Sequence, residues 1–474
     1  MNLAFITSEM FPFSKTGGLA DIAYFLPKGL QKLGVKISVF TPYYANLKSV
    51  KHENMTFIGE RNIQMGGIQT VFNYYKYDFE GVDVIFIQNM HYFERDRFYG
   101  FNDDAERFTS FSFAVLEGLE LLDSIPDLLH INDWQTGMIP YLLEKHYKWK
   151  LNYTKIRTLL TIHNMEYQGN FDTYVARFFN HDFDYEYIHF DRVNFLKAGI
   201  LKADRINTVS PTYKEEILTR SFGFSLDGIL DFRRTHLTGI LNGIDSETFD
   251  PTKDKFIEKY SVSNVREGKL ANKMKVYKQF GLGDEYDVPF VVYIGRYANQ
   301  KGLWMIKDVL FELANYSNAK FFFLGSGDPV YENFFKVMTD KFPGKIGNYI
   351  GYNEKLAHEL YAASDIFLMP SEFEPCGLGQ MISMKYGSLP VVRETGGLKD
   401  TVIPYNKYTN QGTGFSFRNL SSIEFKEKVF EALSLFKEQP KTWDKLVSQA
   451  MKKDYSMEKM ASNYKNLYKD IIGG

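Results

Sequence analysis

One cysteine in 474 residues, Cys376, has no partner for an intramolecular disulfide, which fits a reducing compartment. An excess of charge of one sign is also missing. Lys and Arg total 56 against 58 Asp and Glu, a net of −2, so no global field draws the chain to nucleic acid or anionic lipid. Any phosphate must then be held by local groups. No apolar run approaches a membrane-spanning length, and no basic segment precedes the first apolar stretch, Leu3-Ala4-Phe5-Ile6. A membrane span and a signal peptide are therefore not expected, and the cytoplasm is the expected location. Tandem repeats, low-complexity segments and side chains at metal-ligand spacing are lacking as well. Aromatics are plentiful, with 42 Phe and 32 Tyr, but core packing accounts for most of them and they carry no argument alone.

At this length two domains are the natural expectation. Short apolar runs ending in polar or Gly-rich loops alternate with helical periodicity, the pattern of doubly wound α/β sheets. In the first half the expected strands are Leu3 to Ser8, Ile37 to Thr41, Val84 to Gln88, Leu128 to Asn132, Thr158 to His163 and Ile206 to Val209. The pattern restarts with Phe290 to Gly295, Ala319 to Gly325, Asn348 to Gly351, Ile366 to Pro370 and Leu389 to Arg393. The boundary is placed at Leu241-Asn242-Gly243, where Asn-Gly marks a turn and a polar stretch follows to about Lys273. The expected division is 1–243, 244–456 and a terminal amphipathic helix, 457–474, packing back on the first domain.

The first apolar run leads into Lys15-Thr16-Gly17-Gly18-Leu19-Ala20-Asp21, followed by helical spacing that Pro27 is expected to disturb. A strand-to-helix junction offers free N–H groups and the positive end of the helix dipole, and glycines let backbone approach a phosphate closely. Lys15 precedes the glycines, so the order is not that of a Walker loop. Gly-Gly alone would more often be a tight turn.

In the second half, Arg296 and Lys301 leave the end of an apolar run, and a planar fork beside a point charge suits a diphosphate. Ser371-Glu372-Phe373-Glu374-Pro375-Cys376-Gly377-Leu378-Gly379 then opens a helix, with Glu374 just ahead of the Gly377, Leu378 and Gly379 amides. Cys376 reads as a small packing residue rather than a nucleophile or redox switch. Asp133-Trp134-Gln135 and His163-Asn164 follow two further strands, at the carboxyl ends where such a fold places its chemistry.

Taken together, Lys-x-Gly-Gly-Leu-x-Asp, Thr161-Ile162-His163-Asn164 with Tyr167-Gln168-Gly169, Leu-Asn-Gly-x-Asp at 241–245 and Phe-Glu-Pro-Cys-Gly-Leu at 373–378 resemble the signatures of bacterial glycogen and starch synthases (glycosyltransferase family 5). The resemblance runs nearly the whole chain. It implies a GT-B fold, two Rossmann-like domains facing a deep cleft, and retaining transfer of glucose from ADP-glucose or UDP-glucose to the non-reducing end of an α-1,4-glucan. It implies that Lys15, Arg296 and Lys301 hold the donor's phosphates and that Glu374 faces its glucose. By the same resemblance Thr16, Gly17, Gly18, Asp21, Asp103, Gln135, His163, Asn164 and Asn242 line the sugar side. Tyr352 would stack on the base, the Gly377 and Leu378 amides would meet phosphate with Cys376 and Gly379 beside them in the donor site, and Thr395 in the second Gly-Gly turn would shape the site.

Neither metal nor pyridoxal phosphate is expected, and oligomeric state is left open. Two positions depart from family patterns. Gln135 stands where several members carry histidine, and Ile382 replaces the second of two glutamates eight apart, as in the bacterial glycogen synthase branch. A glycosidase would need a second carboxylate beside Glu374, and none is evident. A nucleotide-sugar epimerase or a glucan phosphorylase fits the motifs less well. A non-catalytic glucan-binding homologue would have lost Lys15, Arg296, Lys301 or Glu374, and all four remain.

Overall fold

Val-, Ile- and Phe-rich runs become buried strands here because helices cover both faces of a parallel sheet. The computed structural model describes residues 1–45, 47, 52–179 and 184–473, and the chain divides into two units, Met1–Asn242 with Met457–Gly474, and Gly243–Ser456. The first unit holds β1 (Asn2–Ile6), β2 (Lys36–Pro42), β3 (Thr56–Met65), β4 (Ile68–Phe79), β5 (Val82–Gln88), β6 (Leu128–Asn132), β7 (Arg157–Ile162), β8 (Asn170–Asp172), β9 (Ile188–His189), β10 (Arg192–Asn194), β11 (Arg205–Thr208) and β12 (Leu237–Gly239). Nine of them form one sheet in the order β12-β11-β7-β6-β1-β2-β5-β4-β3, parallel from β12 to β5. The chain winds outward through β2 on one side of β1 and through β6, β7 and β11 on the other. The β1/β6 pair is thus the point where winding reverses.

The second unit holds β13 (Phe290–Ile294), β14 (Lys320–Gly325), β15 (Ile346–Ile350), β16 (Ile366–Met369), β17 (Leu389–Arg393) and β18 (Phe415–Phe417), all parallel in the order β15-β14-β13-β16-β17-β18. Its reversal lies at β13/β16. Both units are Rossmann-like, as expected of each half of a GT-B fold.

Several elements differ from the sequence reading. The hairpin β3–β4 lies outside the parallel pattern. It turns through Gly66 and Gly67 at φ 53° and 85°, the left-handed pair that a two-residue hairpin needs. Pro27 does not interrupt its helix, which runs unbroken from Gly18 to Lys32. Burial of Tyr24, Phe25, Leu26 and Leu30 compensates the missing N–H. The polar stretch before Lys273 contains the start of a helix, Val265–Phe280, whose buried side includes Lys269, Asn272 and Lys273. Lys273 Nζ reaches Asp365 at 2.6 Å, and Lys269 Nζ donates to the carbonyls of Ala362 and Tyr386 at 3.2 and 2.9 Å. A helix that buries lysines carries no apolar periodicity to read. Among the described residues no helix is long and apolar enough to cross a membrane.

The terminal helix, Met457–Gly473, packs on Gly18–Lys32 within the first unit, burying Met457, Met460, Ala461, Tyr464 and Tyr468. Gly29 permits the close crossing, since a Cβ there would lie 2.9 Å from Ala461 Cβ. A buried polar network fixes the register. His130 on β6 bonds Tyr468 at 2.8 Å and Thr161 at 2.7 Å, and Asn207 on β11 donates to Tyr464 at 2.8 Å. Tyr468→Phe strands one ring nitrogen of His130 away from water. Denaturant unfolding should read a loss of about 1–3 kcal/mol, and an unchanged midpoint would show the network to be dispensable.

Candidate active site

In the first unit the candidates gather at β1/β6. β1 is followed by the buried Glu9, whose carboxylate accepts the Thr16 N–H and, at 3.0 Å, the Thr16 hydroxyl. Burial raises its pKa, against the lowering effect of those bonds. Glu9 thereby ties the loop before Gly17 and Gly18 to the strand end, a role that the motifs did not reveal. Lys15 ion-pairs with Asp21 at 2.7 Å in the first helical turn and lies 5.4 Å from the Phe11 ring centre.

The glycines separate into two kinds. A Cβ on Gly17 or Gly18 would meet no atom within 4 Å, and neither has a left-handed backbone. Nothing inside the protein requires glycine at these two positions. Gly396 and Gly397 are the opposite case: a Cβ would fall 2.0 Å from the Glu374 carbonyl oxygen and 2.1 Å from that of Cys376. The second Gly-Gly turn therefore holds the Glu374 to Cys376 backbone in place, and Thr395 is buried at the start of its helix.

Beyond β6, Asp133 adopts φ 55° and its Oδ1 accepts the His163 N–H at 2.7 Å. Burial pushes its carboxyl up to about 7, against hydrogen bonds from the His163 and Asn164 amides and with help from the Glu9 charge. His163 is pushed down to about 3 by burial and is neutral. Its Nε2–H donates to Asn132 Oδ1 at 2.9 Å, and the Asn132 amide nitrogen in turn donates to the Ile6 carbonyl at 2.9 Å. The amide oxygens of Gln135 and Asn242 are buried without a partner among the described residues. Two buried acceptors in need of donors suit a ligand rich in hydroxyls. Asp103 stands apart from these networks, in a bidentate ion pair with Arg95 at 2.6 Å on both oxygens. Burial would raise its pKa, but Arg95 outweighs this and holds the carboxyl low.

In the second unit Lys301 follows β13 and Glu374 follows β16, so their ion pair, 2.6 Å, spans the reversal point of the sheet. Ser371 also donates to Glu374, at 3.0 Å. Gly302 makes the turn possible, with φ 67° and a virtual Cβ 1.9 Å from the Pro370 carbonyl oxygen. Arg296 is exposed, and its carbonyl is anchored by the Tyr293 hydroxyl at 2.8 Å. Gly377, at φ 72°, sits between Glu374 and Gln380, and Cys376 is buried. Leu378 and Gly379 begin a helix of seven residues, so local N–H groups matter there more than a long dipole. Tyr352, just past β15, leaves 78% of its surface exposed.

Comparison with known proteins supports the same architecture. The starch synthase catalytic domain family matches residues 2–232, and the glycosyl transferases group 1 family matches residues 278–452. A glycogen synthase of Acholeplasma laidlawii is 60% identical over 100% of this chain and 99% of its own. The chain belongs to the glycogen/starch synthase family. One glycogen synthase from Anoxybacillus flavithermus is 42% identical over 100% of this chain and 99% of its own. The catalytic domain of starch synthase IV from Arabidopsis thaliana, solved with ADP and acarbose, superposes with a TM-score of 0.92 at 32% identity, covering 100% of this chain and 99% of that one. As a member of this family the chain is a glycosyltransferase.

The two kinds of glycine should respond differently to substitution. Gly17→Ala and Gly18→Ala should leave the thermal midpoint near wild type yet lower transfer activity, whereas Gly396→Ala or Gly397→Ala should cost about 1–3 kcal/mol of stability through overpacking. Equal destabilisation by both pairs would refute the distinction. Asp133 has a folded pKa above its unfolded value, so the folded state binds the extra proton between roughly pH 4 and 7. Its contribution is therefore present below pH 4 and is lost as pH rises through 7. Asp133→Asn, which tolerates the left-handed backbone, should flatten that part of the stability profile.

Proposed function

We propose that this chain is a glycogen synthase that moves glucose from ADP-glucose to the non-reducing end of an α-1,4-glucan with retention of configuration. One observation carries the reading: the Lys301–Glu374 pair bridges the two strand ends at which the second sheet reverses, beside the exposed Arg296. Ligands of doubly wound sheets bind at that point. A diphosphate arriving there meets one free guanidinium fork and an ammonium that can turn from carboxylate to phosphate. As the glycosidic bond to phosphate breaks, both cations stabilise the charge that develops on the leaving diphosphate.

In the first unit, Lys15 and the backbone of Gly17 and Gly18 are suited to phosphate, with the Gly17 amide at present donating to the Glu9 carboxylate. Tyr352 offers its exposed face to the base. Glu374, the neutral His163 and the amide oxygens of Gln135 and Asn242 receive sugar hydroxyls. The ADP bound to starch synthase IV favours ADP-glucose over UDP-glucose, and the relatives' names favour glycogen as acceptor. Positive charge comes from side chains, so neither metal nor pyridoxal phosphate is required, and transfer should survive chelation. The single buried cysteine suits work in the cytoplasm.

The test supplies labelled ADP-glucose or UDP-glucose with glycogen and measures label in polymer that α-1,4-specific hydrolysis releases. Incorporation from neither donor overturns the reading, and preference for UDP-glucose overturns only the donor assignment. Arg296→Ala, on an exposed side chain, should leave folding intact and lower kcat/KM by about 30- to 1,000-fold, roughly 2–4 kcal/mol.

A further inference from the structure

We propose that His189, Phe190 and Ser225 form a separate binding site for an α-glucan chain on the first unit, with the Phe190 ring as its platform. The inference rests on the glucan reading above. Seven non-glycine residues have left-handed backbone among those described, and four of them fall in two consecutive pairs: Phe190 and Asp191 at φ 48° and 57°, Phe224 and Ser225 at φ 46° and 70°. Left-handed backbone is costly for a bulky side chain and tends to gather at functional surfaces.

The first pair is the two-residue turn between β9 and β10, since His189 faces Arg192 across it. Such a turn prefers Asn-Gly, yet here an aromatic ring occupies its first position. The two strained turns are joined, with His189 Nε2 and Ser225 Oγ 2.8 Å apart and the His189 and Phe190 ring centres separated by 4.4 Å.

The result is an aromatic face held in place but left 77% exposed. Its surroundings are polar: Asp191, Arg192 and Ser225 are exposed. A pyranose has the matching surface, an apolar C–H face for the ring and hydroxyls around the edge for polar neighbours. A protein partner would call for a broader apolar patch.

Both turns also hang from one buried residue of the segment that carries His163 and Asn164. Gln168 Nε2 donates to the Phe224 carbonyl at 2.8 Å, and its Oε1 accepts from Asn194 Nδ2 at 2.7 Å. Chain bound at Phe190 is therefore held by the same structural segment as the acceptor-side candidates.

Phe190→Asn keeps a residue that accepts the turn, and Phe190→Trp keeps a platform. Native electrophoresis of the full chain through gels containing glycogen reads binding, and transfer to glycogen and to maltotriose reads use of the site. Phe190→Asn should weaken retardation by about five- to tenfold and raise half-saturating glycogen to match, with turnover on saturating maltotriose and the donor KM unchanged. Phe190→Trp should be retarded like wild type, as should Phe232→Asn, which removes an equally exposed phenylalanine elsewhere. Wild-type retardation of Phe190→Asn overturns the proposal, as does an equal loss on maltotriose, which would make the turn merely structural. Wild-type protein retarded by glycogen but unable to transfer glucose overturns the proposed function and leaves this site standing.

Discussion

In a doubly wound sheet the connections leave two neighbouring strands in opposite directions, so no loop closes over the carboxyl ends of that pair. Both units obey this constraint, and nearly every chemically suited residue follows from it. β1 and β6 open the first unit at Glu9, Lys15, Gly17, Asp133 and Gln135, while β13 and β16 open the second at Arg296, Lys301 and Glu374. The side chains differ, but each unit brings a cation, a carboxylate and glycine-rich backbone to the same topological place. Two independent sheets that do so argue for phosphate and sugar chemistry more strongly than any one motif.

The neighbouring carboxylates explain how the folded chain tolerates these cations. Lys15 rests against Asp21 and Lys301 against Glu374, so neither ammonium is left unpaired. Lys301, largely buried, would be costly without a partner and Glu374 supplies one, whereas Lys15 is exposed and gains less from Asp21. Arg296, also exposed, needs no such partner.

The parallel strands and the glycine loops were legible in the sequence because their signals are local: an apolar run, a Gly-Gly pair, a charge at fixed spacing. Elements lacking those signals were not. The helix Val265–Phe280 buries Lys269 and Lys273, so its pattern reads as solvated, and β12 and β18 have only three residues each. At the site, the motifs marked Lys15, Lys301 and Glu374 but gave no hint of Glu9, whose role depends on a loop folding back seven residues. Asp133 was visible as part of Asp-Trp-Gln, yet its left-handed backbone and its hold on the His163 amide arise from strand pairing. Asp103 matched a pattern, and the structure commits it to Arg95. Spacing finds residues that face a ligand more readily than those that hold them there.

The titration states point to what kind of catalysis these residues can support. His163 is neutral throughout the physiological range, with one nitrogen committed to Asn132, so it can orient a hydroxyl but cannot shuttle protons by gaining charge. Glu374 is engaged by Lys301 and Ser371, and Glu9 by Thr16. Burial raises the Asp133 carboxyl to about 7, and that carboxyl is occupied by backbone amides. A reaction that needed an acid and a base in alternation would be poorly served. One that needs a leaving diphosphate held by cations, and a sugar held by hydrogen-bond acceptors, is better served, because ammonium groups that have turned from their carboxylates on binding need not reorganise again as charge develops.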